Sequence, residues 1–142
     1  MVDFPKTADD ITPSWLTGRF AARGLLTEGR VTAVTETGQP KADRTASTIA
    51  IRYSIDAVGT LPDRAFYKYN TNGRDGVEVR RHCAAVREAI FYSEISMSLK
   101  RSISPRCFDW GGHFDDGEVY LILEDISESH RLLGKADTPS PY

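Results

Sequence analysis

Glu88 is a charge in an unfavourable place. A helical pattern runs from Gly76 to Leu99, and Glu88 falls in the middle of one of its apolar stripes, with Ala84, Phe91, Ile95 and Leu99 around it. Its neighbours at helical spacing, Ala84, Ala85, Phe91 and Tyr92, include no cation, and Arg81 is the nearest one on that side. A carboxylate so placed needs a tertiary partner, because removing one half of a buried ion pair costs roughly 3–5 kcal/mol. Upstream, Lys68 stands inside the apolar strand pattern Ala65-Phe66-Tyr67-Lys68-Tyr69, sharing a face with Phe66 while Tyr67 and Tyr69 take the other. Singly, Glu88 reads as a solvated helix residue and Lys68 as a charge guarding a sheet edge. Together, in this order, they predict a helix packed on a strand so that the two side chains meet. The opposite apolar stripe, Val79, Cys83, Val86, Ile90 and Met97, implies a helix covered on two sides.

The rest of the chain supplies the sheet. Residues 1–10 read as a lead-in. Thr12 caps a short helix with Pro13 in its first turn and Gly24 past its end, and Ile11 and Leu16 form a hydrophobic staple. Trp15, Leu16 and Phe20 are its apolar side. Strands come next at Val31–Thr37 and Thr48–Asp56, the second alternating with Ile49, Ile51, Tyr53 and Ile55 on one face. The polar connection Gly38–Ser47 is long for a hairpin. A third strand covers Arg64–Asn70, a fourth Pro105–Trp110 and a fifth Glu118–Asp125, with Gly111–Gly117 as the turn between the last two. The tail 135–142 is expected to fray. The fold class is therefore α+β: a five-stranded antiparallel sheet, one long helix on one face and a short N-terminal helix.

Bulk properties narrow the function classes. A chain of 142 residues suits one domain with a modest core. With 27% charged and 40% hydrophobic residues and a net charge of −2, neither a nucleic-acid partner nor a membrane is expected. The N-terminus lacks a signal-peptide pattern, and the expected location is cytoplasmic. Cys83 and Cys107 read as two buried thiols rather than a disulfide. Cys107 and His113 are too few ligands for zinc, Ser102 and Ser104 have no fixed base, and Trp15, Phe66, Tyr67 and Tyr69 read as core.

A further set of motifs carries a resemblance. Ile11-Thr12-Pro13-Ser14-Trp15-Leu16, Arg52-Tyr53, Phe66-Tyr67-Lys68, Arg87-Glu88-Ala89-Ile90-Phe91-Tyr92 and Leu121-Ile122-Leu123-Glu124-Asp125-Ile126 occur in the order and spacing of a known lobe. Over residues 11–134 the chain resembles the protein-kinase-like N-terminal lobe of aminoglycoside-phosphotransferase-like kinases, in the branch with ecdysteroid-kinase-like and choline-kinase-like proteins. That resemblance implies an ATP cleft. Lys68 would hold the α- and β-phosphates and Glu88 would orient it. Backbone groups of Glu124 and Ile126 would bond the adenine edge, Leu123 would line the pocket, and the Gly38–Ser47 loop would lie over the phosphates.

Two departures from the family pattern shape the expectation. The phosphate loop holds only Gly38, so no glycine-rich cradle is evident. The family's catalytic loop begins His-Gly-Asp and a later aspartate holds Mg²⁺, whereas here His82 precedes Cys83, His113 precedes Phe114 and His130 precedes Arg131. The catalytic base and metal ligands are thus expected to be missing. The chain then reads as a truncated or split, inactive product, binding Mg²⁺ with ATP only if a separate C-terminal lobe is supplied. Apolar area near Leu121, Leu123 and Ile126, and along Phe91, Ile95 and Leu99, is expected to lie uncovered and to favour self-association. The alternatives are a non-catalytic α+β binding or interaction module and an unrelated small α+β ligand-binding domain.

Overall fold

The computed structural model describes residues 3–37, 46–70, 86–96 and 104–127. Helix α1, Pro13–Ala22, starts where its cap chemistry places it: the Thr12 hydroxyl accepts from the Trp15 N–H at 3.1 Å, Pro13 occupies the first turn, and Gly24 lies just past the end at φ +71°. Leu16 and Phe20, one turn apart, are fully buried on its inner side, and Ile11 joins them in the same core cluster.

The strands are β1 Leu26–Glu28, β2 Val31–Thr37, β3 Ala46–Tyr53, β4 Val58–Gly59, β5 Arg64–Asn70, β6 Cys107–His113 and β7 Glu118–Glu124. Five form one antiparallel sheet in the order β2-β3-β5-β7-β6. The architecture is α+β, as expected. The short β1 and β4 pair separately as a two-stranded sheet that the sequence pattern did not suggest. Strand β3 ends at Tyr53, so Ile55, expected on its inner face, sits on a turn and is fully exposed. Strand β6 runs on through Gly111 and Gly112, and the turn to β7 is only the 3₁₀ segment Phe114–Asp116 with Gly117 at φ +68°. Gly112 makes this extension possible. Its φ is +117°, and a Cβ there would lie 2.1 Å from the Glu118 carbonyl oxygen across the hairpin. Gly112→Ala is therefore expected to cost about 1–3 kcal/mol in denaturant unfolding, the usual scale of backbone strain.

Both faces of the sheet are covered, by different elements. On one face α1, Phe4 and Ala8 pack with Ile49, Tyr67, Tyr120 and Ile122. On the other, Ala89 and Tyr92 pack with Val119, Leu121 and Leu123, with Phe66 alongside. Strand β7 is consequently buried from Val119 to Leu123 on both sides, and this explains its unbroken apolar run. Leu121 and Leu123 are therefore not the uncovered surface expected of them; they are the floor on which the second helical segment sits. Part of the expected lead-in is also docked: the Tyr67 hydroxyl donates to the Pro5 carbonyl at 2.6 Å and the Phe4 ring lies 5.2 Å from that of Tyr120.

The second helical segment, residues 86–96, is α-helical to residue 90 and then forms a π turn over Phe91–Ile95. Of the long predicted helix, residues 76–85 and 97–99 lie outside the described residues; the longest described helix is α1, with 10 residues. Among the described residues the segment buries one side, Ala89 and Tyr92, while Ile90 and Ile95 are exposed. The two-sided covering is thus not observed there. A π turn closes with one extra residue, which rotates the later side chains by roughly 100° relative to a regular α-helix. Ile95 accordingly does not fall where a uniform projection puts it. No helix among the described residues is long and apolar enough to cross a membrane.

Burial raises the pKa of five tyrosine hydroxyls, Tyr69 and Tyr92 among them, and of one thiol in this core. Tyr67, Tyr120 and Tyr53 are all pushed up, chiefly by desolvation, and Cys107 is pushed up from 9.0 to about 12 by burial, with Asp109 adding repulsion. In the unfolded chain these groups lose protons first, so the unfolded state binds fewer protons at alkaline pH and stability falls as pH rises. This stabilisation is intact below the ordinary thiol value of 9.0 and is lost progressively toward 12. Denaturant midpoints measured across pH 7–12 check it, with a flat profile to about pH 9 and a decline beyond as the expected result.

Candidate functional site

Strand β5 carries Phe66 and Lys68 on the face turned to the second helical segment, and the in-register pairs Phe66 with Leu123 and Lys68 with Leu121 place them beside β7. Ala89, with no exposed surface, lets the helix backbone approach this face closely. One residue before it, Glu88 reaches the strand, and Lys68 Nζ donates to Glu88 Oε2 at 2.5 Å. The contact expected from the sequence forms. The setting is more open than expected, however. The side chains retain 38% and 30% of their exposure. The pair sits at the rim of a groove rather than sealed in the core, so solvent offsets part of its attraction.

That groove has a volume of about 690 Å³. Lys68 and Glu88 line one end. Phe66 and Leu123 form its apolar floor, Thr48 of β3 and Tyr92 of the helical segment its sides, and the stretch from Glu124 to Ser127 its far end. All five residues singled out from the sequence, Lys68, Glu88, Leu123, Glu124 and Ile126, thus border one cavity. The connection between β2 and β3 spans 38–45 and lies outside the described residues; its ends are placed, and Ala46 pairs with Lys68, so the connection joins the sheet beside the groove's charged end.

The segment after β7 is held by its own polar contacts. The Glu124 N–H donates to the Arg106 carbonyl at 2.7 Å, and its carboxylate accepts from the Arg106 N–H at 3.1 Å. Asp125 accepts from the Ser127 N–H at 3.0 Å, and Arg64 Nη2 lies 3.2 Å from its other oxygen. Burial opposes ionisation of Asp125, but the Ser127 and Arg64 contacts outweigh it and hold its pKa below the usual carboxylate value.

One cluster went unread in the sequence. Asp109 on β6 has no exposed surface. Arg19 grips it with two bonds of 2.7 and 2.8 Å, Arg23 donates at 2.7 Å and the Tyr120 hydroxyl at 2.8 Å. The Asp109 carboxylate, by hydrogen bond and charge, holds the Arg19 guanidinium protonated even more firmly than usual, outweighing its partial burial. The signal was the same as at Glu88: a carboxylate between Phe108 and Trp110 in an apolar strand, and two arginines four residues apart, Arg19 on α1 and Arg23 just past its end.

Other candidates do not assemble into chemistry. Cys107 is a free thiol held protonated by burial, so it is no nucleophile at neutral pH. Alkylation of the native chain at Cys107 is expected to be slow until denaturant is added, as mass spectrometry would read. No three His, Cys, Asp or Glu side chains converge as a metal-binding group among the described residues. Cys83, Ser102 and the histidines His82 and His130 lie outside them. The chain matches no protein-family model, no curated protein and no solved structure.

Proposed function

We propose that this chain is the nucleotide-cradling lobe of a kinase-like phosphotransferase, similar to the N-terminal lobe of the aminoglycoside- and choline-kinase-like enzymes, whose complete form moves the γ-phosphoryl group of ATP to a hydroxyl of a small molecule. The observation that carries this reading is the convergence of Lys68, Glu88, Leu123, Glu124 and Ile126 on one groove, cation at one end and strand exit at the other.

The spacing fits an extended nucleotide. Lys68 stands level with Leu121 and the groove's far end begins level with Ala65, at Glu124. Three residues along a strand span about 10 Å, the order of the distance from a purine edge to the first phosphates. The flat apolar floor of Phe66 and Leu123 suits a base, and Lys68 suits the phosphate charge. Glu88 keeps the lysine side chain aimed along the groove. At the far end the Glu124 N–H is engaged by Arg106, so its carbonyl oxygen is the group it has to offer a base amine. A groove of this size lies within the usual range for small-ligand sites.

The chemistry of transfer needs a base to take the acceptor's proton and ligands to hold Mg²⁺ on the phosphates. No His-Gly-Asp loop stands in the 142 residues. The chain alone is therefore expected to bind ATP and ADP weakly and to show no phosphoryl transfer with any acceptor. Calorimetric titration with both nucleotides, beside an ATP-turnover assay, tests this. Binding in the millimolar range or tighter, without turnover, is the expected result. Absence of any nucleotide binding up to about 10 mM, a concentration that would still detect about −3 kcal/mol, would sink the proposal.

A further inference from the structure

A second cavity, of about 610 Å³, lies on the other side of Tyr92 and Glu124 from the groove. The end of α1, the turn 91–96 and the start of β6 enclose it. We infer that it binds a small organic oxyanion, a carboxylate or phosphoryl group carried on an aromatic or other apolar body. The inference does not rest on the nucleotide reading.

The charges around the cavity do not balance. Among the described residues, three guanidiniums, Arg19, Arg23 and Arg106, stand at or behind its wall against two carboxylates, Asp109 and Glu124. Asp109 is shared between Arg19 and Arg23, so it neutralises only one of them. Arg23 spends Nε on Asp109 and Nη2 on the Trp110 carbonyl at 2.9 Å, and among the described residues its Nη1 has no acceptor. The Arg106 guanidinium lies 5.5 Å from the Phe108 ring centre and, among the described residues, makes no ion pair or hydrogen bond. Glu124 takes its bond from the Arg106 backbone N–H, not from the side chain.

The Arg23 guanidinium is also held in place. Arg23 stacks 4.3 Å from the Trp110 ring centre, which fixes its plane, and the clamp on Asp109 fixes its position. A planar donor fork kept in one orientation suits carboxylate or phosphoryl oxygens better than a mobile lysine would. Ser93 and Ser96 add hydroxyls to the wall, and Trp110, Phe108 and Tyr92 add ring surface for the ligand's apolar body. A cavity with few polar groups converging among aromatic walls is the usual form of a small-molecule site.

Calorimetric titration of the 142-residue chain with phenyl phosphate and with benzoate, tracking the Trp110 indole resonance by NMR, tests the inference. At least one of the two is expected to bind with a dissociation constant below about 10 mM and to move that resonance. Inorganic phosphate is expected to bind about tenfold more weakly, lacking the apolar body, and neutral benzyl alcohol not measurably. The better of phenyl phosphate and benzoate identifies the oxyanion. Arg106→Ala should weaken binding about tenfold, and Arg30→Ala, an exposed cation that lines neither cavity, should leave it unchanged. Arg106 is exposed and outside the Asp109 clamp, so its loss does not threaten the fold. No binding by either aromatic anion, equal binding of benzyl alcohol or phosphate, insensitivity to Arg106→Ala, or an equal loss with Arg30→Ala would each overturn the inference.

Discussion

Asp109→Ala is expected to destabilise the chain by about 3–5 kcal/mol, a large share of the roughly 5–15 kcal/mol typical of a domain. The carboxylate has no exposed surface and accepts from two arginines and a tyrosine. Its removal leaves two guanidiniums and the Tyr120 hydroxyl facing a void, and it uncouples α1 from β6. Arg19 and Arg23 are only partly buried, with 21% and 31% of their side-chain surface exposed, so each can recover some solvation. Single truncations on the arginine side are therefore expected to cost less than loss of the shared carboxylate. Tyr120→Phe, which removes one donor and leaves the ring in place, should cost only about 1 kcal/mol. Asp109→Asn keeps the volume but loses the charge and turns an amide donor toward an arginine, so it should fall between these. Urea unfolding of these variants gives the ranking. A change below about 1 kcal/mol for Asp109→Ala would mean that the cluster, though well formed, contributes little net stability, as some buried ionic clusters do.

Much of the sheet was legible because its signals are local. Strands β2 and β5 fall where β-branched and alternating residues place them, and α1 begins at the Thr12 cap with Pro13 behind it. Where the pattern misled, a non-local contact decided the outcome. Ile55 continues the alternation of Ile49 and Ile51 in sequence, but β3 has already ended and nothing packs on it. Gly111 and Gly112 look like a turn, yet Gly112 serves the opposite end: its positive φ keeps β6 paired with β7 to His113. Phe4 gave no periodic signal, being an isolated aromatic that docks on Tyr120.

The groove was legible for a related reason. A charge in an apolar pattern is a demand for a partner, and the demand at Glu88 could be matched with Lys68 before any geometry was known. The same demand at Asp109 is harder to match because its two arginines lie at the end of a helix some ninety positions earlier, as the Arg19 bonds show. The depth of Glu88 is not legible in the same pattern. An apolar stripe on a helix says which residues can face a sheet, not how far the sheet extends beneath them, and at the groove the sheet face gives way to solvent. The π turn one step further on cannot be seen in an α-helical projection at all.

On the proposed nucleotide reading, Lys68→Ala is expected to reduce ATP and ADP affinity about 10- to 100-fold, the scale of lost hydrogen bonds to a charged group, while adenosine affinity stays unchanged. The contrast arises from position. Lys68 lines the end of the groove away from Glu124 and Ile126, so a ligand without phosphates does not reach it. Glu88→Ala acts differently. It leaves the ammonium in the groove, freed from the 2.5 Å bond that aims it, with its charge no longer offset. Loss of aim weakens the phosphate contact and loss of the counter-charge strengthens it, so the net change should be smaller than about tenfold. Lys68→Arg preserves the charge but not the reach of an ammonium to Glu88, and should fall between the two alanine variants. Raising the salt concentration should weaken ATP binding to the native chain and have little effect on Lys68→Ala, since the screened attraction is then already gone. If adenosine affinity drops with Lys68→Ala as far as ATP affinity does, the lysine is shaping the groove rather than touching phosphate. If Glu88→Ala is the more damaging of the two, the pair matters for holding helix to sheet, and the phosphate-binding role proposed for Lys68 fails.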